Sequence, residues 1–398
     1  MHEPTAPVLS GMTQEELAEL ILPEPRFRAA QVFKWIASGV SSFDQMANLP
    51  LSLRREFSTR YLPRPKTDVT RHCGKDGTVK LAVRFADGAC IEAVLLADTS
   101  KEGTREPLNK SVESAVPADF QSDAFAPCGA QMRSSSTDLI PIGLNQCFPR
   151  YTACLSTQVG CPAGCVFCKT GSMGFVRNLT SAEIVEQVLL LGAESKKTGQ
   201  ESSLSNIVVM GMGEPFLNLE QLRGAFAVIS DARGMNFSRR RITVSTCGIV
   251  RGITDLADNG PAVRLALSLT TADEELRQRL MPFTAKHPLG EVKEALRYFQ
   301  EKGGGRITLE AVLLGGINMR VKDAHDIARF AEGLDATVNL IPWNPVKGLE
   351  FEGKALREPP PAEVEDFARR LKALGLNVTR RFRRGRGVMG ACGQLGNR

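Results

Sequence analysis

From Gln158 to Cys168 the chain reads Gln-Val-Gly-Cys-Pro-Ala-Gly-Cys-Val-Phe-Cys. Its three cysteines, Cys161, Cys165 and Cys168, have CxxxCxxC spacing and follow the strand-like run YTACLSTQV (151–159). A structural zinc site takes four ligands, commonly from two CxxC-like pairs, and no second pair is present. A ferredoxin-type cluster takes four cysteines, and this loop offers three. Three thiolates on one tight loop point to a 4Fe-4S cluster with one iron left open for a substrate or cosubstrate; zinc is the remaining alternative. Gly160 and Gly164 let the loop turn tightly enough for the sulfurs to converge.

Downstream of this loop, strand-like and amphipathic helical runs alternate. The strands are SNIVVMGM (205–212), RRITVST (240–246), VRLALSL (263–269), RITLEAVLL (306–314) and ATVNLIP (336–342). The helices are SAEIVEQVLLLGAES (181–195), NLEQLRGAFAVIS (218–230), LGEVKEALRYFQEKG (289–303), VKDAHDIARFAEGL (321–334) and PAEVEDFARRLKALG (361–375). Such alternation predicts βαβ units and a parallel sheet, whose ligands bind beyond the carboxyl ends of the strands. Polar motifs sit where those ends should be: Gly211-Met-Gly213-Glu214-Pro215, Ser245-Thr-Cys-Gly248, Ser268-Leu269-Thr270 and Trp343-Asn344-Pro345. Any one of these alone reads as a turn or helix cap. Several on one rim, around one cysteine loop, read as a site.

Upstream, residues 1–68 predict a small helical unit from TQEELAELI (13–21), FRAAQVFKWIASG (27–39) and LPLSLRREFSTRYL (49–62). A β-hairpin extension is predicted over 69–98, from GTVKLAVRF (77–85) and ACIEAVLLA (89–97) around the turn Ala86-Asp-Gly88. Residues 99–148 lack sustained periodicity and read as a flexible insert. The core is expected over 149–376 and a basic C-terminal segment over 377–398.

The chain has 398 residues, 42% of them apolar and 24% charged, a mixture typical of a globular protein. No apolar run approaches the ~18 residues of a membrane helix, and the N-terminus lacks the features of a secretory leader, so the expected compartment is the cytoplasm. Ten cysteines in such a chain predict metal binding or catalysis rather than a disulfide framework. The formal charge is +6, and the tail from Asn377 holds six arginines and no acid. That placement favours a polyanionic partner over a mere solvated charge run.

The CxxxCxxC loop followed by Gly-Glu-Pro resembles radical S-adenosylmethionine (SAM) enzymes. More narrowly, the chain resembles the RlmN/Cfr family of RNA adenine methyltransferases. The resemblance rests on Gln31-Val-Phe-Lys-Trp-Ile, Asp76-Gly-Thr-Val-Lys, Ile91-Glu-Ala-Val, Ser156-Thr-Gln-Val-Gly-Cys, Gly211-Met-Gly-Glu-Pro, Arg306-Ile-Thr-Leu-Glu, Asn339-Leu-Ile-Pro-Trp-Asn-Pro and Ala391-Cys-Gly-Gln-Leu. It covers about 20–95 and 150–398.

The resemblance implies a partial (β/α)6 TIM-like barrel carrying the helical domain and a two-stranded extension. It implies a 4Fe-4S cluster on Cys161, Cys165 and Cys168, and two SAM molecules per turnover. Gly213, Glu214, Ser245, Ser268, Leu269, Thr270 and Asn344 match the family's SAM-contacting positions. Cys392 matches the cysteine that carries the methyl group, Cys154 the one that resolves the protein–RNA adduct through a transient disulfide, and Glu92 the proton acceptor. The implied reaction is methylation at carbon 2 of an adenosine in 23S rRNA, with tRNA as a second candidate. Carbon 8 methylation, a non-catalytic cluster-bearing RNA-binding protein and a radical enzyme acting on a small molecule are the alternatives. The implied electron donor is a flavodoxin or ferredoxin, and a monomer is the default. The helical unit and the Arg380–Arg386 run would engage phosphates. Thr270 stands where the family usually has His, and Cys247 where Ser is usual.

Overall fold

The structure is a computed structural model that describes residues 6–98, 150–197, 203–381 and 384–396. The insert predicted over 99–148 lies outside the described residues.

The N-terminal unit comprises α1 (Gln14–Leu20), α2 (Arg26–Ala37) and α3 (Leu51–Arg60). Thr13 starts α1 by a capping box: its hydroxyl accepts from Glu16 N–H, and Glu16 accepts from Thr13 N–H. Ala29, Val32, Phe33 and Ile36 recur at helical spacing and form the buried face of α2. Phe43, Phe57 and Tyr61 pack edge to face, with ring centroids 5.7 and 5.6 Å apart. Arg64 ties the unit to the rest through a bidentate pair with buried Glu186 (2.7 Å).

Three strands follow: β1 (Thr67–Cys73), β2 (Val79–Phe85) and β3 (Cys90–Asp98). The extension therefore has three strands where the sequence predicts two. In β1, Thr67 is half-buried and the other six residues are exposed. It has no apolar alternation to read and is held by its backbone ladder to β2.

The core contains β4 (Arg150–Cys154), β5 (Gln158–Gly160), β6 (Phe175–Asn178), α4 (Ser181–Lys196), β7 (Ser203–Val209), α5 (Leu219–Ser230), β8 (Ile242–Thr246), α6 (Val250–Asn259) and β9 (Arg264–Ser268). It continues with α7 (Glu274–Leu280), α8 (Leu289–Glu301), β10 (Ile307–Leu313), α9 (Val321–Ala331), β11 (Ala336–Pro342), the short β12 (Glu350–Phe351) and β13 (Lys354–Ala355), α10 (Pro361–Ala373) and β14 (Val378–Arg380). One sheet runs β1-β2-β3-β4-β7-β8-β9-β10-β11-β14. Pairing is antiparallel as far as β4 and parallel beyond it. This is the expected partial barrel, with β14 added to the six βα strands and the extension continuing the same sheet.

The predicted strand 151–159 is split. β4 ends at Cys154, and the chain leaves the sheet through Leu155–Thr157 to pair β5 with β6. Leu155 N–H still donates to the Val208 carbonyl (2.9 Å), and side chains take over at Ser156, whose N–H donates to the Gln187 amide (2.8 Å) and whose Oγ donates to the Glu92 carbonyl (2.6 Å). No helix among the described residues is long and apolar enough to cross a membrane.

The barrel interior is unusual in chemistry. Barrels of this kind normally fill their centre with branched apolar side chains. Here Thr152, Asn206, Thr243, Thr308, Thr337, Asn339 and Thr379 line an open cleft of about 590 Å3. They stand in register across neighbouring strands, Thr152 beside Asn206, Thr308 beside Thr337 and Asn339 beside Thr379. A lumen of hydroxyls and amides is a place for a polar guest rather than for a packed core.

Candidate active site

The split of the first core strand lays down the cysteine loop. Gly160 (φ +75°) permits the turn, and a Cβ there would fall 2.0 Å from the Gly174 carbonyl oxygen, which accepts from Cys161 N–H (2.8 Å). Cys161, Cys165 and Cys168 line a cavity of about 160 Å3. Among the described residues no three Cys, His, Asp or Glu side chains are grouped to hold a single ion. Three thiols from one loop suit a 4Fe-4S cluster that keeps one iron open, whereas a structural zinc site takes four ligands. Burial pushes the Cys161 thiol up to about 12 and raises Cys165 and Cys168 as well. Free thiols here stay protonated, so ligation displaces protons.

Gly213, Glu214, Ser245, Ser268, Thr270 and Asn344 line the same cavity, supplied by the ends of four different strands. Glu214 is buried, and its carboxylate bridges strand ends by accepting from Cys247 N–H (2.8 Å) and Phe216 N–H (3.1 Å). Burial raises its carboxyl against those bonds. The Ser245 and Ser268 hydroxyls are 3.1 Å apart. Thr270 holds the left-handed conformation (φ +59°), uncommon for a β-branched residue, and is fixed by Asn318 Nδ2, which donates to its carbonyl (3.0 Å). Leu269 is the exception: its side chain lies in the core and not on the cavity wall.

Two buried polar atoms on this wall have no partner, Thr270 Oγ1 and Asn344 Oδ1. Orphans of this kind are costly unless a ligand satisfies them. Cavity, thiols and orphans together fit a cluster with a polar cosubstrate.

Cys392 also lines this cavity, because the terminal loop is stitched over it. Lys169 N–H donates to the Gly393 carbonyl (2.8 Å), Thr170 Oγ1 to the Leu395 carbonyl (2.7 Å), and Asn344 Nδ2 to the Cys392 carbonyl (3.1 Å). Cys392 lines the polar cleft as well, together with Cys154 at the end of β4.

Comparison with known proteins gives the family. Residues 155–331 match the model of the radical SAM superfamily, and residues 8–61 that of the ribosomal RNA large subunit methyltransferase N-terminal domain. The probable dual-specificity RNA methyltransferase RlmN of Treponema denticola is 43% identical over 98% of this chain and 95% of its own. The chain belongs to the RlmN family. It is a radical SAM RNA methyltransferase, a class that uses a 4Fe-4S cluster and SAM. The dual-specificity RNA methyltransferase RlmN of Lawsonia intracellularis is 36% identical over 97% of this chain and 96% of its own. A crystal structure of a radical SAM methyltransferase from Sphaerobacter thermophilus superposes with TM-score 0.80, at 34% identity, covering 98% and 99% of the two chains.

Within this RlmN-family fold the surroundings of Glu92 and of the arginine run are as follows. Glu92 lies on neither cavity wall. Its carboxylate pairs with buried Lys80 (2.8 Å) and accepts from Gly396 N–H (2.7 Å), so it anchors the loop that carries Cys392. In the arginine run, Arg380 pairs with Glu365 (3.4 Å) and Arg386 with Glu358 (2.8 Å) while their side chains stay 44% and 41% exposed, and Arg381 is turned into the cleft. Arg383 lies outside the described residues.

Two residues, Glu310 and Arg277, were not singled out from the sequence, and a third, Arg381, was read only as part of the arginine run. Glu310 and Arg381 line both cavities. Arg277, fully buried, donates to the carbonyls of Cys247 (2.6 Å) and Leu269 (3.3 Å) and ties two strand ends together. A signal for Glu310 was present, because RITLEAVLL carries one acid at a position where the strand pattern expects core.

Gly213 tests the architecture. Its φ is +104°, and a Cβ would lie 2.8 Å from Gln158 N, whose side chain receives Glu214 N–H (2.8 Å). Gly213→Ala is expected to cost about 1–3 kcal/mol of local strain. Isothermal titration of SAM into the reconstituted protein should show at least a tenfold weaker Kd, and unchanged affinity would contradict the close approach.

Proposed function

We propose that this RlmN-family enzyme methylates carbon 2 of an adenosine in 23S rRNA, with tRNA as a second substrate, by way of a methyl group carried on Cys392 and released when Cys154 forms a disulfide with it. What supports this reading is the position of Cys392. Among the described cysteines it alone lines both the cofactor cavity and the polar cleft, and Cys154 shares that cleft. A carrier must reach a methyl source on one side and an RNA base on the other.

Carbon 2 of adenine lies between two ring nitrogens and is electron-poor, so it does not attack a sulfonium methyl as an amine would. When bound, the cluster and SAM supply a methyl group and, by one-electron cleavage of a second SAM, a carbon radical. The electron would come from a flavodoxin or ferredoxin. The chain supplies the rest. Burial, with Cys392 nearby, pushes the Cys154 thiol up to about 12, which keeps it protonated and unreactive at rest. Arg381, beside both cysteines, opposes that shift and stabilises the thiolate when it forms. The threonine- and asparagine-lined cleft accepts a polar base.

The experiment is nucleoside mass spectrometry of rRNA and tRNA from cells with and without the gene, against 2-methyladenosine and 8-methyladenosine standards. Loss of 2-methyladenosine is expected. Loss of 8-methyladenosine instead would move the enzyme to the carbon 8 reaction, and no change in either would overturn the substrate assignment.

A further inference from the structure

The wall shared by the two cavities carries one carboxyl group. Six residues line both spaces, Met210, Glu310, Ile341, Asn344, Arg381 and Cys392, and Glu310 is the acid among them. It sits on β10, in register with Ser268 on one side and Asn339 on the other. Asn339 Nδ2 donates to Glu310 Oε2 (2.7 Å), and Thr379 Oγ1 donates in turn to Asn339 Oδ1 (3.0 Å), so the side chain is fixed from behind. No hydrogen bond or ion pair reaches Oε1 from the described residues. Burial raises the carboxyl above its usual range, against Arg381, which lowers it. The other ionisable groups facing these spaces are Cys154, Cys392, Arg264 and Arg384 in the cleft, and Cys161, Cys165, Cys168, Cys247 and Glu214 across the cofactor cavity. Glu214 has both oxygens on backbone N–H groups, and Glu92 is outside.

We infer that Glu310 is the general acid of the release step, donating a proton to the carbon that departs from the Cys392 sulfur. This rests on the Cys392-carrier reading above. Once its proton has passed to solvent in the open cleft, the Cys154 thiolate attacks the Cys392 sulfur, and the S–S bond forms as the bond from that sulfur to the methylene carbon breaks. The electron pair passes to the methylene carbon, conjugated with the adenine ring. The proton on Glu310 completes the methyl group, and the carboxylate left behind faces Arg381. Two sulfurs are oxidised to the disulfide, the carbon is reduced, and the total charge is unchanged. A carboxyl group on the wall that also carries Cys392, with one oxygen fixed and burial favouring its protonated form, is placed as general acid catalysis requires, with effects of about 10²–10⁴.

The test follows the covalent protein–RNA adduct on denaturing gels, using the cluster-loaded full chain, SAM, a reductant and an rRNA fragment. Cys154→Ala should trap the adduct and so checks the underlying reading. Glu310→Gln should form the adduct and release product at least a hundredfold more slowly, with Glu310→Asp restoring part of the rate. Release by the native enzyme should rise with pH below the Glu310 titration, as Cys154 ionises, and level off above it, where each gain in thiolate is matched by a loss of neutral Glu310, whereas release by Glu310→Gln should keep rising with pH. Trapping by Cys154→Ala together with native-rate release by Glu310→Gln overturns the inference alone. So does a failure of both Glu310 variants to form any adduct. No adduct in Cys154→Ala overturns the carrier reading and the inference with it.

Discussion

Cys392→Ala is expected to abolish RNA methylation, by on the order of a thousandfold or more, if the methyl group passes through this sulfur as proposed, since the substitution removes a covalent catalytic group. It should leave cluster loading and reductive cleavage of SAM intact. The three cluster cysteines, Glu214 and the unpartnered Thr270 Oγ1 and Asn344 Oδ1 belong to other parts of the chain. The loop around residue 392 is held by backbone groups of Gly393 and Leu395 and by the Cys392 carbonyl, none of which the substitution removes. The check is paired: iron and sulfide content with 5′-deoxyadenosine formation on one side, methyl transfer to an rRNA fragment on the other. Retained methylation would mean that the methyl group never passes through this sulfur.

Glu92→Ala is expected to destabilise the protein by about 3–5 kcal/mol, because it strands the Lys80 ammonium in a buried site. Side-chain exposure there is only 5% for Lys80 and 7% for Glu92, so water cannot replace the lost partner. The same change frees Gly396 N–H and loosens the loop carrying Cys392. Replacing both partners together, Lys80→Met with Glu92→Leu, should recover most of the stability, since an apolar pair of similar volume removes the charge rather than orphaning it. Urea unfolding of the three proteins measures this. Activity then separates two roles for Glu92. If it acts by anchoring the loop, the stable double variant keeps a large part of the methylation rate; if it is the proton acceptor, the double variant is as inactive as Glu92→Ala.

These two residues also mark what could be read in advance. Spacing carries the cysteine loop, since CxxxCxxC is a local pattern and its chemistry depends on ligands a few residues apart. Strand–helix alternation carries the barrel, and the polar motifs Gly213-Glu214, Ser245, Ser268 and Asn344 are legible because the carboxyl ends of strands are where such folds bind ligands. The edge strand Thr67–Cys73 escapes notice because a strand exposed along nearly its whole length has no alternation. Residues 151–159 look like one strand because the break at Leu155–Thr157 is made by partners more than thirty positions away in sequence, Gln187 and Glu92.

The sequence by itself determined the fold class and the spacing of Cys161, Cys165 and Cys168, since both are written in local periodicity or a short motif, while Cys154 and Cys392 were drawn to attention only by the family resemblance. Only the tertiary structure decided which acid shares a cavity wall with Cys392. Glu92 and Glu310 both sit in strands of apolar pattern, and nothing local separates them. Lys80 and Gly396 claim the carboxylate of Glu92, whereas Asn339 holds one oxygen of Glu310 and leaves the other toward the cavities. That difference arises from the pairing of strands β2 with β3 and β10 with β11, and from a terminal loop that closes over the barrel from more than two hundred residues away.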